Sequence, residues 1–468
     1  MAVSPIKTCN TLSAPSALAW LAIATFATGA VTPGAAQAEG LPLIRDTEIE
    51  ALMRDYARPI FKVAGLGANN IAIRIIKNDS FNAFVADGRN VFMHSGALTA
   101  AKTPNEVIGV MAHETGHITG GHLAALRARI ARDQTKALLV SVLGIGAMIA
   151  GASSRDPSSR EIGAAGQGVF MGGNELIMRS LLGERRSQES AADQAGLKYL
   201  AATNQSGKGM LETFERFAQQ EYISEKYMDP FVRSHPVATD RLAQLRDRVA
   251  KSPSANTLDP PELQMRHDMM RAKLSGFLER PQTVANRYPL KDTSLPARYA
   301  RAIANNCSGK CVQAIGEVDA LIREQPNNPY FWELKGNFQF WAGQYKDAIP
   351  NLRKALQLTG GGASLIQVDL AQSLLSTEDP AVLDEAIALL RRANVADEDN
   401  SAGHHQLARA LYRKGLQPQA DLATAQAHFV EGNVKQAQIF AKRAQFKLKQ
   451  GTPEWLRAED IVTFKEPT

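Results

Sequence analysis

Cysteine is scarce in this chain of 468 residues, with only three copies, which excludes a disulfide-dense scaffold and a Cys-rich zinc module. Aromatic residues make up 6%, too few for a β-sandwich or propeller built on large cross-strand pairs. Charge of one sign is nearly balanced by the other: 53 basic against 47 acidic residues leave +6, far from a dedicated nucleic-acid binder, so no nucleic-acid partner is expected. Long apolar runs are also missing. Residues 137–152 are almost wholly apolar but fall short of the roughly 20 residues that cross a bilayer. What is present, 44% apolar and 21% charged residues, is the composition of a soluble globular protein long enough for two to four domains.

The first 38 residues read as a secretory signal. Lys7 is their only charge, an apolar stretch follows from Ala17 to about Val31, and Ala36-Gln37-Ala38 supplies the small-x-small pattern for cleavage before Glu39. An uncleaved anchor is the competing reading, weakened by the short run, its Thr and Gly interruptions, and Pro33. Cleavage leaves 430 residues and two cysteines, Cys307 and Cys311, which pair or stay free in an oxidising compartment.

Along the mature chain the spacing predicts an amphipathic helix over 46–62, with Thr47 and Glu50 as a capping box. Strands follow at 70–76, 82–86 and 90–94, the last two separated by a turn containing Asp87-Gly88. Thr103, Pro104 and Glu106 then open a helix cleanly. Two apolar, Gly-containing stretches at 137–152 and 163–183 read either as a buried helical hairpin or as a mobile flap. The basic run 127–136 reads as a solvated helix face, with peripheral contact to anionic lipid as the other reading. Helices continue at 182–200, 208–222 and 238–249, and 252–263 is a linker by composition. From about residue 295 small residues recur: Ala302, Gly336, Ala371 and Ala408 at spacings of 34, 35 and 37, with a second series at Ala314, Ala348 and Ala386. That period predicts about four stacked helix pairs of the tetratricopeptide kind.

The chemistry sits on the helix after Pro104. His113 and His117 are four residues apart, so both imidazoles leave one face a turn apart, as a tetrahedral Zn²⁺ requires, and Glu114 beside them can act on a water as general base. A third ligand is needed. His122 lies five residues after His117, about 140° round the helix, unless Gly120-Gly121 breaks it. Glu189 on the 182–200 helix is the other candidate, with Asp193 a turn later able to accept a hydrogen bond from a zinc-bound histidine. A solvated acidic helix face is the plain alternative for that pair.

These pieces resemble the gluzincin metallopeptidases, the group that includes the CAAX prenyl proteases: His113-Glu114-x-x-His117, Glu189-x-x-Ala-Asp193, Asn82-Ala83-Phe84 on a strand before the zinc helix, and His235-Pro236 with Arg241 downstream. The resemblance implies Glu189 as third ligand, one Zn²⁺ per chain, and extended substrate pairing with strand 90–94. It places His235 near the metal, either steadying the tetrahedral intermediate or capping the open position in a latent form. The implied fold is mainly α. A zincin-type α+β metalloprotease domain over 39–255, with a small sheet beside the zinc helix, is followed by a connector over 256–292 and an all-α tetratricopeptide solenoid over 293–468. Members that join a signal peptide, this domain and such repeats imply a periplasmic endopeptidase. Its substrates would be stalled or misfolded outer-membrane β-barrel proteins, near their assembly machinery. A periplasmic chaperone or adaptor built on the repeats, with a latent protease site, is the alternative expectation.

Overall fold

The structure, a computed structural model, describes residues 42–67, 71–86, 88–126, 128, 183–218, 235 and 239–465. The expected signal segment, the basic run apart from Ala128, and the two apolar stretches apart from Gly183 lie outside these residues. The chain divides into two compact units, Glu50–Asp268 and Met269–Thr468, the latter taking in the segment that ends at Ile49. The division falls inside the expected connector, much of which forms the helices Pro261–Leu278 and Pro281–Arg287.

The helix Thr47–Val63 buries Leu52, Met53, Tyr56 and Ile60, the apolar residues of one face. Its cap differs from the expected one. Ile49 donates its backbone N–H to Asp46 Oδ1 at 3.0 Å, while the Thr47 hydroxyl donates to Glu333 Oε1 at 2.7 Å. Two adjacent residues could cap here, and the charged carboxylate, which also meets the positive end of the helix dipole, takes the position.

Within Glu50–Asp268 the strand Ala72–Ile76 runs parallel to Asn90–His94, with Ala72 opposite Asn90. The strand Ala83–Val85 runs antiparallel to Asn90–His94 on its other side, with Phe84 opposite Phe92. The strand Asn90–His94 is therefore interior, and both its backbone edges are taken. This corrects the expectation that it pairs with extended substrate: on this side the sheet ends at Ala83–Val85, and that strand carries a free edge among the described residues. Strand order depends on long-range pairing, which alternation along the chain does not encode.

The helix Pro104–Thr119 runs through the middle of this unit. Thr103 Oγ1 accepts from the Glu106 N–H, and Glu106 Oε1 accepts from the Lys102 N–H. Val107, Ile108, Val110, Met111 and Ala112 are almost wholly buried. A helix over 183–202 crosses it closely. A Cβ on Gly116 would lie 2.6 Å from the Ala192 carbonyl oxygen, so the glycine between the two histidines sets how near the acidic helix comes.

From Met269 on, the second unit is helical. Five helix pairs follow one another: Leu295–Cys307 with Cys311–Glu324, Pro329–Trp341 with Tyr345–Leu358, Ser364–Ser376 with Leu383–Ala396, Ser401–Arg413 with Gln417–Val430, and Val434–Lys447 with Pro453–Thr463. The small-residue series suggested about four; the structure has a fifth, whose first helix carries the buried Ala441 at the same place. Ala302, Ala371 and Ala408 are buried at the same place in successive first helices, and a Cβ on Gly336 would lie 2.6 Å from Leu352 Cγ. Each small residue thus marks where the paired helix passes. Cys307 and Cys311 are free thiols. No described helix is long and apolar enough to cross a membrane. The fold is mainly α: a small sheet with helices, followed by a helical repeat array.

Candidate metal centre

His113, Glu114 and His117 are carried by Pro104–Thr119, Glu189 and Asp193 by the 183–202 helix, Arg241 by Thr239–Lys251, and His235 by the residues just before it. These side chains converge in the interior. His113 is fully buried, Glu114 is 1% exposed and Glu189 3%.

One donor atom from each of His113, His117, Glu189 and His235 falls within 4.8 Å of the others. His113 Nε2 stands 3.1 Å from His117 Nε2 and 3.2 Å from His235 Nδ1. Glu189 Oε2 is 3.4 Å from His113 Nε2, Glu189 Oε1 is 3.5 Å from His117 Nε2, and His235 Nδ1 is 3.1 Å from Glu189 Oε2. Ligands held tetrahedrally at about 2.0–2.1 Å from zinc stand about 3.3–3.4 Å from each other, so these edges fit one small cation at the centre. Glu114 does not point its carboxylate into the set: its Oε1 lies 3.4 Å from His235 Nε2, beside it.

The groups behind the donors favour one arrangement of protons. His113 Nδ1 is 2.9 Å from Asp193 Oδ1, and the carboxylate beside it favours the proton on Nδ1, which leaves the Nε2 lone pair facing inward. His117 Nδ1 faces His122 Nδ1 at 3.0 Å, so His122 sits behind His117, away from the donor set. Arg241 binds both acids: Nε and Nη2 reach Asp193, the latter at 2.8 Å, and Nη1 lies 3.0 Å from Glu189 Oε2. Its guanidinium rests over the Phe214 ring, 4.8 Å from the centroid, and the same ring meets His113 edge-on. Sequence reading noted Arg241 without giving it a task. Its partners lie 48 residues and more away, and only the contact reveals it.

The electrostatics say the same. Burial disfavours a charged His113, but the Asp193 and Glu189 carboxylates outweigh it and push it up to about 9. Burial, with the charge on His113, pushes His117 down to about 2. The carboxylates facing His113 thus favour positive charge at this point of the interior, and the charge on His113 disfavours a second on His117. Burial opposes ionisation of Glu189 and Asp193 as well. His235 and His113 nevertheless hold Glu189 well below the usual carboxylate range, and Arg241 and His113 lower Asp193. Glu114 is raised, by burial above all. A raised carboxyl beside a metal-type donor set is what proton transfer to and from water calls for.

The region that holds these residues is similar to known proteins. The family model of Peptidase family M48 matches residues 44–249, which contain every residue of the cluster. The chain is 25% identical to the beta-barrel assembly-enhancing protease of Yersinia pestis, over 89% of this chain and 83% of that one. It is 24% identical to the protein of the same name from Escherichia coli (strain K12), over 89% and 82%. Metalloprotease LoiP of Escherichia coli (strain K12) is 26% identical over 42% of this chain and 71% of its own. Residues 44–249 of this chain thus match the M48 metallopeptidases, and over most of its length the chain resembles the beta-barrel assembly-enhancing proteases.

Proposed function

We propose that this protein is an exported, periplasmic zinc endopeptidase that cleaves misfolded or stalled proteins during outer-membrane β-barrel assembly. The clustering of the donor atoms of His113, His117 and Glu189, 3.1 to 3.5 Å from one another, with Glu114 alongside, carries this reading. Residues 1–38 act as its cleaved signal. His113, His117 and Glu189 hold the zinc, and Asp193 holds His113 in the ligating tautomer. Held there, zinc would supply a more acidic water and an electrophile for the scissile carbonyl. Glu114 accepts the water's proton and later delivers it to the leaving amine. Burial raises its carboxyl and so favours the proton-carrying form between the two transfers.

His235 supplies the fourth corner of the donor set, through Nδ1, where water or substrate must come. This supports a latent form in which His235 caps the site and must swing away. A His235→Ala variant is expected to cleave casein with a faster initial rate; a loss of about a hundredfold would instead assign it to the oxyanion.

The main test is the Glu114→Gln variant. It is expected to keep one zinc per chain and lose at least about a thousandfold in peptide hydrolysis. Full activity in the variant, or zinc-free active protein, would overturn the reading. The five helix pairs favour a second function beside the first, a chaperone or adaptor that binds substrates or the assembly machinery. Cells carrying Glu114→Gln in place of the natural protein separate the two. Full rescue would make proteolysis secondary, and lost rescue would make it primary.

A further inference from the structure

One face of the repeat array changes character along its length. The fifth residues of the five first helices are Tyr299, Glu333, Val368, His405 and Gln438. In the first two pairs the chain covers this position with its own N-terminal segment. The Tyr299 hydroxyl donates to Glu48 Oε2 at 2.9 Å, and Glu333 accepts from Thr47. Arg45 pairs with Asp397, just past the third pair, and Lys273 Nζ holds Asp46 at 2.8 Å and Glu48 at 3.2 Å. Residues 45–48 therefore run along this face from the third pair back to the first, and Tyr299, Glu333 and Val368 are all buried.

Past the third pair the N-terminal segment no longer covers this face: His405 is exposed at the fifth position of the fourth first helix, while Gln438, at that of the fifth, donates to the Val462 and Phe464 carbonyl oxygens and leaves the turn of helix beside it open. The fourth first helix presents His405, Arg409 and Tyr412 at helical spacing, and the fifth presents Lys435, Ile439, Lys442 and Phe446. Tyr412 is 66% exposed and Phe446 89%. Arg409, Lys435 and Lys442 are exposed, and none pairs with an acid among the described residues. The acid that faces this stretch, Glu431, is engaged by His405 at 2.9 Å and lies 3.4 Å from His428. Exposed aromatic rings set among unpaired cations are the features of a docking surface. The rings give apolar contact and the cations select and steer an acidic partner.

We propose that this face of the fourth and fifth helix pairs docks an acidic polypeptide segment carrying aromatic or aliphatic side chains. Charge complementarity sets the sign of the partner. The covered half of the face argues for polypeptide over lipid, because a peptide segment already lies along it, fastened through charged and hydroxyl side chains. The proposal names what the repeats bind and depends on the proposed function only in that protein is the partner. Binding is measured on the full mature chain bearing Glu114→Gln, so it can succeed or fail independently of catalysis.

The probe is a fluorescein-labelled peptide of alternating Glu and Phe with blocked ends, followed by anisotropy; its Lys-Phe counterpart and phosphatidylglycerol vesicles are run beside it. The acidic peptide is expected to saturate, to weaken as salt rises, and to lose about tenfold or more in affinity on Lys442→Glu and on Phe446→Ala. The Lys-Phe peptide is expected not to saturate. Both substituted side chains are exposed, and unchanged tryptophan emission verifies that the repeats remain folded. Unchanged affinity in both variants, equal binding of the basic peptide, or vesicle binding that depends on Lys442 without any peptide binding would each overturn the proposal.

Discussion

Each unit buries a cluster of charged side chains, and the two clusters differ in where their positive charge comes from. In the repeat unit the Lys273 ammonium, 4% exposed, stands between Asp46 and Glu48, with Tyr299 and Thr47 donating to Glu48 and Glu333. A built-in cation and hydroxyl donors meet the acceptors around them. In the metal centre Arg241 also serves two carboxylates, but from behind, and the inner side is lined by imidazole nitrogens facing each other at 3.1 and 3.2 Å. Two imidazoles cannot both direct lone pairs at one point without a proton or a cation between them. A buried cluster that supplies its own cation holds chain segments together. One that fixes its outer nitrogens and turns lone pairs inward is a ligand site.

Substitution of the internal cation breaks both clusters, but only one loss should reach the metal. Arg241→Met and Lys273→Met each leave buried carboxylates without their partner and are expected to cost about 3–5 kcal/mol in thermal or urea unfolding. Arg241→Met is expected, in addition, to weaken zinc binding by about 10–100-fold in a chelator competition, with Lys273→Met leaving it unchanged. Equal zinc affinity in the two variants would erase the distinction. Metal removal sharpens it from the other side. Zinc at about a hundredfold over its Kd stabilises the unit that holds it by about 2.7 kcal/mol. After residue 38 every tryptophan, Trp332, Trp341 and Trp455, lies in the repeat unit. A chelator should therefore lower the transition seen by circular dichroism and leave the one followed by tryptophan emission in place.

The repeat cluster should also respond to pH. Burial pushes Glu333 up to about 8 and Asp369 up to about 6, against the nearby Lys273 charge. A carboxyl whose folded pKa exceeds its unfolded value stabilises fully below the unfolded value, and that contribution is lost as pH rises through the folded one. Stability followed by tryptophan emission is thus expected to fall between about pH 5 and 8, by at most about 1.4 kcal/mol per pH unit per group. Glu333→Gln should flatten the profile. A flat or rising profile in the unsubstituted protein would mean that Lys273 keeps these acids ionised.

What was legible in the sequence was local. The four-residue spacings His113–His117 and Glu189–Asp193 place each pair on one helix face whatever the rest of the chain does. The recurrence of Ala302, Gly336, Ala371 and Ala408 exposes the repeat because every pair meets at the same point. Illegible features depend on partners far along the chain. Arg241 and Asp193 are 48 residues apart, Tyr299 and Glu48 are 251, and no periodicity announces either contact. The interior place of the strand Asn90–His94 was half legible: the turn at Asp87-Gly88 signals its pairing with Ala83–Val85, but nothing local signals the parallel pairing with Ala72–Ile76 on its other side. The cap at Asp46 failed for a smaller reason, two competent residues side by side.

One turn position closes the comparison between what repeats and what does not. The turn inside each helix pair has one residue with positive φ: Gly309, Gly343, Glu378, Gly415 and Gly451. Four are glycine and the third is Glu378, at φ +60°. Its side chain is exposed and makes no hydrogen bond among the described residues, so nothing visible offsets the roughly 1–2 kcal/mol that a left-handed conformation costs an L-residue. Glycine relieves that strain but gives the unfolded chain more freedom, which takes back part of the gain. Glu378→Gly is therefore expected to stabilise the repeat unit by about 0.5–1 kcal/mol, a rise of roughly 1–4 °C in the transition followed by tryptophan emission. The same measurement on Gly415→Glu should move the other way by a similar amount. If Glu378→Gly lowers the transition, the third turn is held by its glutamate and is not the equivalent of the other four.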